Sequence, residues 1–173
     1  MLLEISDKDE KLLESARAAT QFRSRSLLVP IDFSECSKKA LRYAIALAKE
    51  HKADITLLHV VFTNFATGEP SSMDYVQFTS EVRAKAQREL QALAADEVHG
   101  EVIAKSQVRA GSPTAEILRV AASMPADIIV ISTHGRTGLK HALLGSVTEH
   151  VVRRAPCPVL VVREHEHECL ACA

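Results

Sequence analysis

The sequence predicts an α/β fold: one domain built on an open five-stranded parallel sheet with helices on both faces. Three observations predict it. Five short apolar runs rich in Val, Ile and Leu recur along the chain. Stretches with helical spacing separate them, so strand and helix alternate and a parallel sheet is the economical architecture. The run Ile128-Ile129-Val130-Ile131 is apolar at every position, as a strand covered by helices on two sides must be. A chain of 173 residues suits one domain with a full core and a modest extension. No internal repeat is visible.

Residues 1–25 precede the first strand. Ser6 or Asp7 can cap a helix carrying Leu12, Leu13, Ala16 and Ala19, with acids early and Arg17, Arg23 and Arg25 late, the order a helix dipole favours. Its apolar stripe is thin, so the segment reads as an appended helix packed loosely or on a partner chain, or as a disordered tail. The first core strand, Ser26 to Ile31, ends in Asp32-Phe33-Ser34. Proline cannot donate to a ladder, so Pro30 must lie where the strand finishes. Ser34 caps a helix from about Glu35 to His51, whose Ala40, Leu41, Ala44, Ile45, Leu47 and Ala48 share one face.

Asp54 to Phe62 is the second strand. Thr63 to Ser72 contains Gly68 and Pro70 without a period, which marks a long loop. A helix from about Met73 to Val98 follows, with Val82, Ala86, Leu90 and Leu93 spaced for burial, and Gly100 ends it. Glu101 to Arg109 alternates Val102, Ala104, Ser106 and Val108 with polar residues, Ile103 being out of phase. A half-exposed strand of this kind belongs near a sheet edge. Gly111-Ser112-Pro113 opens the next helix with serine at the cap and proline at the first helical position, and Met124-Pro125 closes it.

The fourth strand starts at Asp127 and runs into Ser132-Thr133-His134-Gly135-Arg136-Thr137-Gly138, a loop that continues to Gly145. Ser146 heads the last helix, which extends to about Ala155 with Val147, Val151 and Val152 as its apolar positions. Ser146 and Glu149 have the spacing of a capping box. Cys157 to Val162 is the last strand.

A strand, a glycine loop and a helix N-terminus in succession make the local geometry that binds phosphate, because free N–H groups and the helix dipole meet an anion there. Singly, Gly135, Gly138, Gly145 and Ser146 need serve only turns and a cap. Together, Gly135 and the pair Gly145-Ser146 let two backbone segments converge on one ligand. Ligands of open parallel sheets lie outside the carboxyl ends of the strands, where strand order reverses. If the first and fourth strands are neighbours, Asp32 faces the glycine loop across one crevice. Gly135, Gly145, Ser146 and Thr148 would then hold phosphates. Asp32 would accept from a ribose hydroxyl or an adenine amine, or hold a divalent ion through water. Asp32 can equally cap the first helix together with Ser34. His59, inside an apolar strand, reads as a satisfied core histidine, and His134 as a residue that orients the loop.

Composition narrows the classes further. The chain is 47% hydrophobic and 25% charged, in the ordinary range of a soluble globular protein. Its net charge of -1 does not recommend a nucleic-acid backbone as partner. The apolar runs fall short of the ~20 residues of a membrane span, and the first residues are acidic where a signal peptide is basic. The expectation is a cytoplasmic protein with no membrane contact. Four cysteines, Cys36, Cys157, Cys169 and Cys172, form no regular framework, which fits a reducing compartment. His165, His167, Cys169 and Cys172 are chemically able to hold Zn²⁺ or to cycle as a dithiol. Their short spacing at a chain terminus favours a solvated tail, residues 164–173, so no metal site is assigned.

From Ser26 to Arg163 the sequence resembles the universal stress protein family. The resemblance rests on Val29-Pro30-Ile31-Asp32-Phe33-Ser34, on Leu58-His59-Val60, on Gly111-Ser112-Pro113 and on the tract from Ser132 to Val162. It implies a Rossmann-like, adenine nucleotide alpha hydrolase-like domain over residues 26–163. Members that bind ATP carry Gly, two residues, Gly, nine residues, then Gly followed by Ser or Thr. Here Gly135, Gly145 and Ser146 match, and Ser132 stands at the first glycine position, where a side chain can crowd ribose or phosphate. The resemblance implies Pro30, Ile31, Asp32 and Val60 around adenine and ribose. It implies Ser132, Gly135, Arg136, Gly145, Ser146, Val147 and Thr148 around ribose and phosphates. It also implies a homodimer through the last strand, Val159 to Val162.

The function expected is that of a stress protein whose binding of ATP, or of AMP or ADP, with Mg²⁺ near the phosphates, stabilises a dimer that an unknown protein partner reads. No catalytic residue is assigned. The pattern G-x-x-x-x-G-K-[ST] is absent, so Arg136 or Lys140 would have to meet phosphate charge, and at most slow ATP hydrolysis is expected. The alternative is a dimeric interaction module of the same fold in which Ser132 abolishes nucleotide binding.

Overall fold

The computed structural model describes residues 25–62, 73–124, 126–135 and 144–163. The expected N-terminal helix, the loop 63–72, Arg136, Lys140 and the His/Cys tail lie outside them. Nine elements alternate as predicted: β1 (Ser26–Pro30), α1 (Glu35–His51), β2 (Asp54–Phe62), α2 (Met73–Val98), β3 (Ala104–Gly111), α3 (Pro113–Ser123), β4 (Ile128–Ser132), α4 (Ser146–Arg154) and β5 (Val159–Val162). The five strands form one parallel sheet in the order β3-β2-β1-β4-β5. Among the described residues no helix is long and apolar enough to cross a membrane.

Two apolar cores, one on each face of the sheet, explain the continuous apolar runs. Alternate residues of a strand point to opposite faces. Thus Leu27 and Val29 join Ala40, Leu41, Ala44 and Leu90 beneath α1 and α2. Leu28, Ile129 and Ile131 join Ile117, Val120 and Val151 beneath α3 and α4. Leu28, Val29, Leu41, Ile129 and Val130 are fully buried, and burying each such side chain contributes about 1.5–3 kcal/mol. At the foot of the sheet Asp127 Oδ2 accepts from the Arg25 and Ser26 amides, at 2.7 and 3.0 Å, which ties the start of β1 to the start of β4.

Several local expectations are met. The Ser34 hydroxyl accepts from the Ser37 amide at 3.2 Å and caps α1. Pro30 is the last residue of β1. His99 and Gly100 both have positive φ where α2 ends. Ala86 and Leu90 are buried, and Val82 and Leu93 half-buried. β3 is an edge strand, as its alternation predicts.

Four details differ. β3 begins at Ala104 and ends at Gly111, because β2 offers ladder partners only from Ile55 to Phe62. β5 starts at Val159, since Cys157 and Pro158 precede the ladder. Ser112 occupies the cap of α3 but makes no side-chain cap hydrogen bond. Val152, read as a core position of α4, is 44% exposed. In a nine-residue helix whose seam centres on Val151, its neighbour turns outward.

Candidate functional site

β1 and β4 are neighbours, so the condition for a crevice between Asp32 and the glycine loop is met. After β1 the chain turns to α1 on one face of the sheet, and after β4 it goes to α4 on the other. Parting connections open a cleft at the carboxyl ends of the two strands. The cleft is a cavity of about 240 Å³. Its apolar side comes from Leu58 and Val60 of β2 and from Pro113 and Ile117 of α3. Its polar side comes from Asp32, from Ser132, His134 and Gly135 after β4, and from Gly145, Ser146 and Thr148 at the start of α4. Pro30, Ile31, Ile131 and Val147 complete the lining. All the described residues singled out for binding therefore meet in one cavity.

Asp32 supports the cap of α1 and also faces the glycine loop. Its Oδ1 accepts from the Ser34 amide at 3.0 Å and the Ser34 hydroxyl at 2.6 Å, which holds Ser34 in place as the cap of α1. Its Oδ2 lies against the glycine loop. A Cβ added at Gly135 would sit 2.5 Å from that oxygen, so only glycine admits this approach.

The start of α4 departs from the capping box. The cap residue is Gly145, which makes no side-chain cap hydrogen bond, and Ser146 is already helical. Glu149 donates its amide to the Gly145 carbonyl at 2.9 Å as an ordinary helical bond. Crowding accounts for glycine at this position. The Gly145 amide donates to the Thr133 carbonyl at 2.7 Å, and a Cβ at Gly145 would lie 3.1 Å from that carbonyl oxygen. The first residues of the helix, Ser146, Val147 and Thr148, line the cavity.

Ser132 is buried, and its hydroxyl donates to the His134 carbonyl at 3.0 Å, within its own loop. Its carbonyl accepts from the Thr148 hydroxyl at 2.7 Å. Thr148 thus ties α4 to the end of β4, and its hydroxyl is committed to that bond. His134 Nδ1 and the Thr133 hydroxyl are 3.0 Å apart, which agrees with a loop-orienting role. His59 Nδ1 lies 2.7 Å from the Ile31 carbonyl, as a satisfied histidine should.

The sequence reading did not anticipate Leu58, Pro113, Ile117 and Ile131 in the lining. Gly111-Ser112-Pro113 contained the missing signal. It ends a strand and starts a helix, so α3 also begins at the carboxyl edge of the sheet and closes the apolar side.

Comparison with known proteins agrees with this geometry. Residues 23–163 match the universal stress protein family. The chain is 38% identical over 150 residues to the universal stress protein YxiE of Bacillus subtilis, covering 79% of this chain and 97% of that one. The solved structure of the Methanocaldococcus jannaschii protein MJ0577 superposes with a TM-score of 0.67 at 31% identity, covering 83% of this chain and 99% of that one. A universal stress protein solved in complex with cAMP shares the fold at a TM-score of 0.60 and 22% identity, covering 81% of this chain and 97% of that one.

Proposed function

The chain belongs to the universal stress protein family, and on that premise we propose that its crevice binds an adenine nucleotide, ATP ahead of AMP or ADP. One observation carries the reading: Asp32 and Gly135, from two distant stretches of chain, meet at the mouth of a helix whose cap residue, Gly145, makes no side-chain hydrogen bond. The two-sided lining suits such a ligand. Leu58, Val60, Pro113 and Ile117 offer an apolar slot for a flat base. The amides of Ser146, Val147 and Thr148 offer donors to phosphate, with Asp32 an acceptor for ribose.

The donor set also fits Mg²⁺. That ion keeps most of its water and takes its other ligands from phosphates and one or two carboxylates. Asp32 is the one carboxylate among the described lining residues. Mg²⁺ held there would offset phosphate charge. Phosphate charge would also meet Arg136, as the family pattern implies. This role is a nucleotide-dependent regulator, which needs no hydrolysis. The dimer expected at β5 is part of the proposal, supported by its position at the sheet edge and by the 37% exposure of Leu160.

The alternative is a module in which Ser132, which lines the cavity, blocks the nucleotide with its hydroxyl. Its donation to the His134 carbonyl speaks for the binding reading. Equilibrium binding of a labelled ATP analogue tests it. We expect a Kd on the order of micromolar, lost in Gly145→Val, where a branched side chain meets the Thr133 carbonyl. Absence of binding at millimolar nucleotide rejects the proposal.

A further inference from the structure

We propose, resting on the nucleotide reading above, that His59 is a positioning residue for that ligand: from behind the sheet it holds both neighbours of Asp32 and so sets the carboxylate against the glycine loop. Leu58 and Val60 line the cavity while His59, between them, does not. Strand alternation puts its side chain on the opposite face, toward α1 and α2.

From there it makes two contacts. Its Nδ1 lies 2.7 Å from the Ile31 carbonyl. A carbonyl oxygen only accepts, so Nδ1 carries the hydrogen and donates. Its ring lies against Phe33, with centroids 4.6 Å apart and planes tilted by 42°. Phe33 has φ +66°, a left-handed conformation that a bulky residue keeps only where its surroundings hold it. Ile31 and Phe33 flank Asp32, so one side chain grips the turn on both sides. The Ile31 amide, donating to the Leu58 carbonyl at 2.8 Å, joins the same turn to β2 through the main chain. Ser34 then fixes Oδ1 of Asp32, and Oδ2 is left facing Gly135. His59 is thus tied to the ligand through the conformation of residues 31–33.

The test uses the full chain and a fluorescent ATP analogue. His59→Phe keeps a ring against Phe33 and removes the donor. His59→Asn restores an N–H donor near the position of Nδ1. We expect about tenfold weaker binding in His59→Phe and recovery to within about threefold of the parent in His59→Asn. In an Asp32→Ala background the effect of His59→Phe should fall below about twofold, because the group it positions is gone. Unaltered binding in His59→Phe, or an equal loss in both backgrounds, overturns the proposal.

Amide hydrogen exchange of the unliganded protein gives an independent readout. Faster exchange at Phe33 and Ser34 in His59→Phe, with slow exchange retained in Leu27 to Val29, is the expected result. Unchanged exchange at Phe33 and Ser34 overturns the positioning role. If the parent chain binds no analogue, the nucleotide reading falls, and the exchange pattern alone decides whether His59 sets the turn.

Discussion

A methyl group at Gly135 would lie 2.5 Å from Oδ2 of Asp32, inside any tolerable contact, so either the carboxylate or the loop must move. Gly135→Ala should cost about 1–3 kcal/mol of stability, read as a lower urea midpoint. It should also weaken nucleotide binding, because the displaced carboxylate is the proposed ribose acceptor. Retained binding would show that the approach of Asp32 to Gly135 has no part in recognition. Cys157 shows a second effect at the scale of one residue. Burial pushes its thiol above the ordinary range, and the nearby Asp127 carboxylate adds to the shift. The thiolate is the reactive form, so Cys157 should be alkylated by iodoacetamide more slowly than a free cysteine at neutral pH. Its rate should keep rising with pH beyond the usual thiol range, as peptide mass spectrometry would follow.

Among the elements, α4 starts at the cavity, and its cap residue makes no side-chain hydrogen bond. Ser146-x-x-Glu149 has the letters of a capping box, yet the cap lies one residue earlier, at Gly145, and Ser146 is the first helical residue. The Thr133 carbonyl, about thirteen residues from α4 in sequence, accepts from the Gly145 amide and crowds any side chain at that cap position. Nothing within the helix itself reveals such a neighbour. The helix is then fastened from inside by Thr148, whose buried hydroxyl donates to the Ser132 carbonyl. Thr148→Val preserves the shape and leaves that carbonyl without its partner. It should destabilise the protein by about 1–3 kcal/mol in chemical denaturation. An unchanged midpoint would mean that the bond does not secure α4.

For the molecule as a whole, parallel order brings the functional ends of β1 and β4 together and leaves β3 and β5 at the two edges. Edge strands invite pairing unless charge or cover prevents it. β3 carries Lys105 and Arg109, both exposed, and so is protected. β5 reads Val-Leu-Val-Val with Leu160 exposed, which supports it as the surface of the proposed homodimer. Leu160→Lys should therefore lower the mass found by sedimentation equilibrium toward that of one chain. A monomeric parent protein would remove the dimer from the proposal. Nucleotide that binds only the folded chain should also raise its stability, by about 2.7 kcal/mol at a hundred times Kd.

Five apolar runs, their spacing and the cap positions Ser34 and Ser112 were enough to determine the alternation of strand and helix, because those signals act over a few residues. The glycine tract likewise marked which loop lines the cavity. Only the tertiary structure decided that β1 lies beside β4, that α3 supplies the apolar wall, and that Gly145 replaces Ser146 as the cap. It also decided that the Ser132 hydroxyl turns onto its own loop and that His59 reaches the Asp32 turn from behind. Each of these depends on the approach of groups remote in sequence, and a local pattern carries no record of such distances.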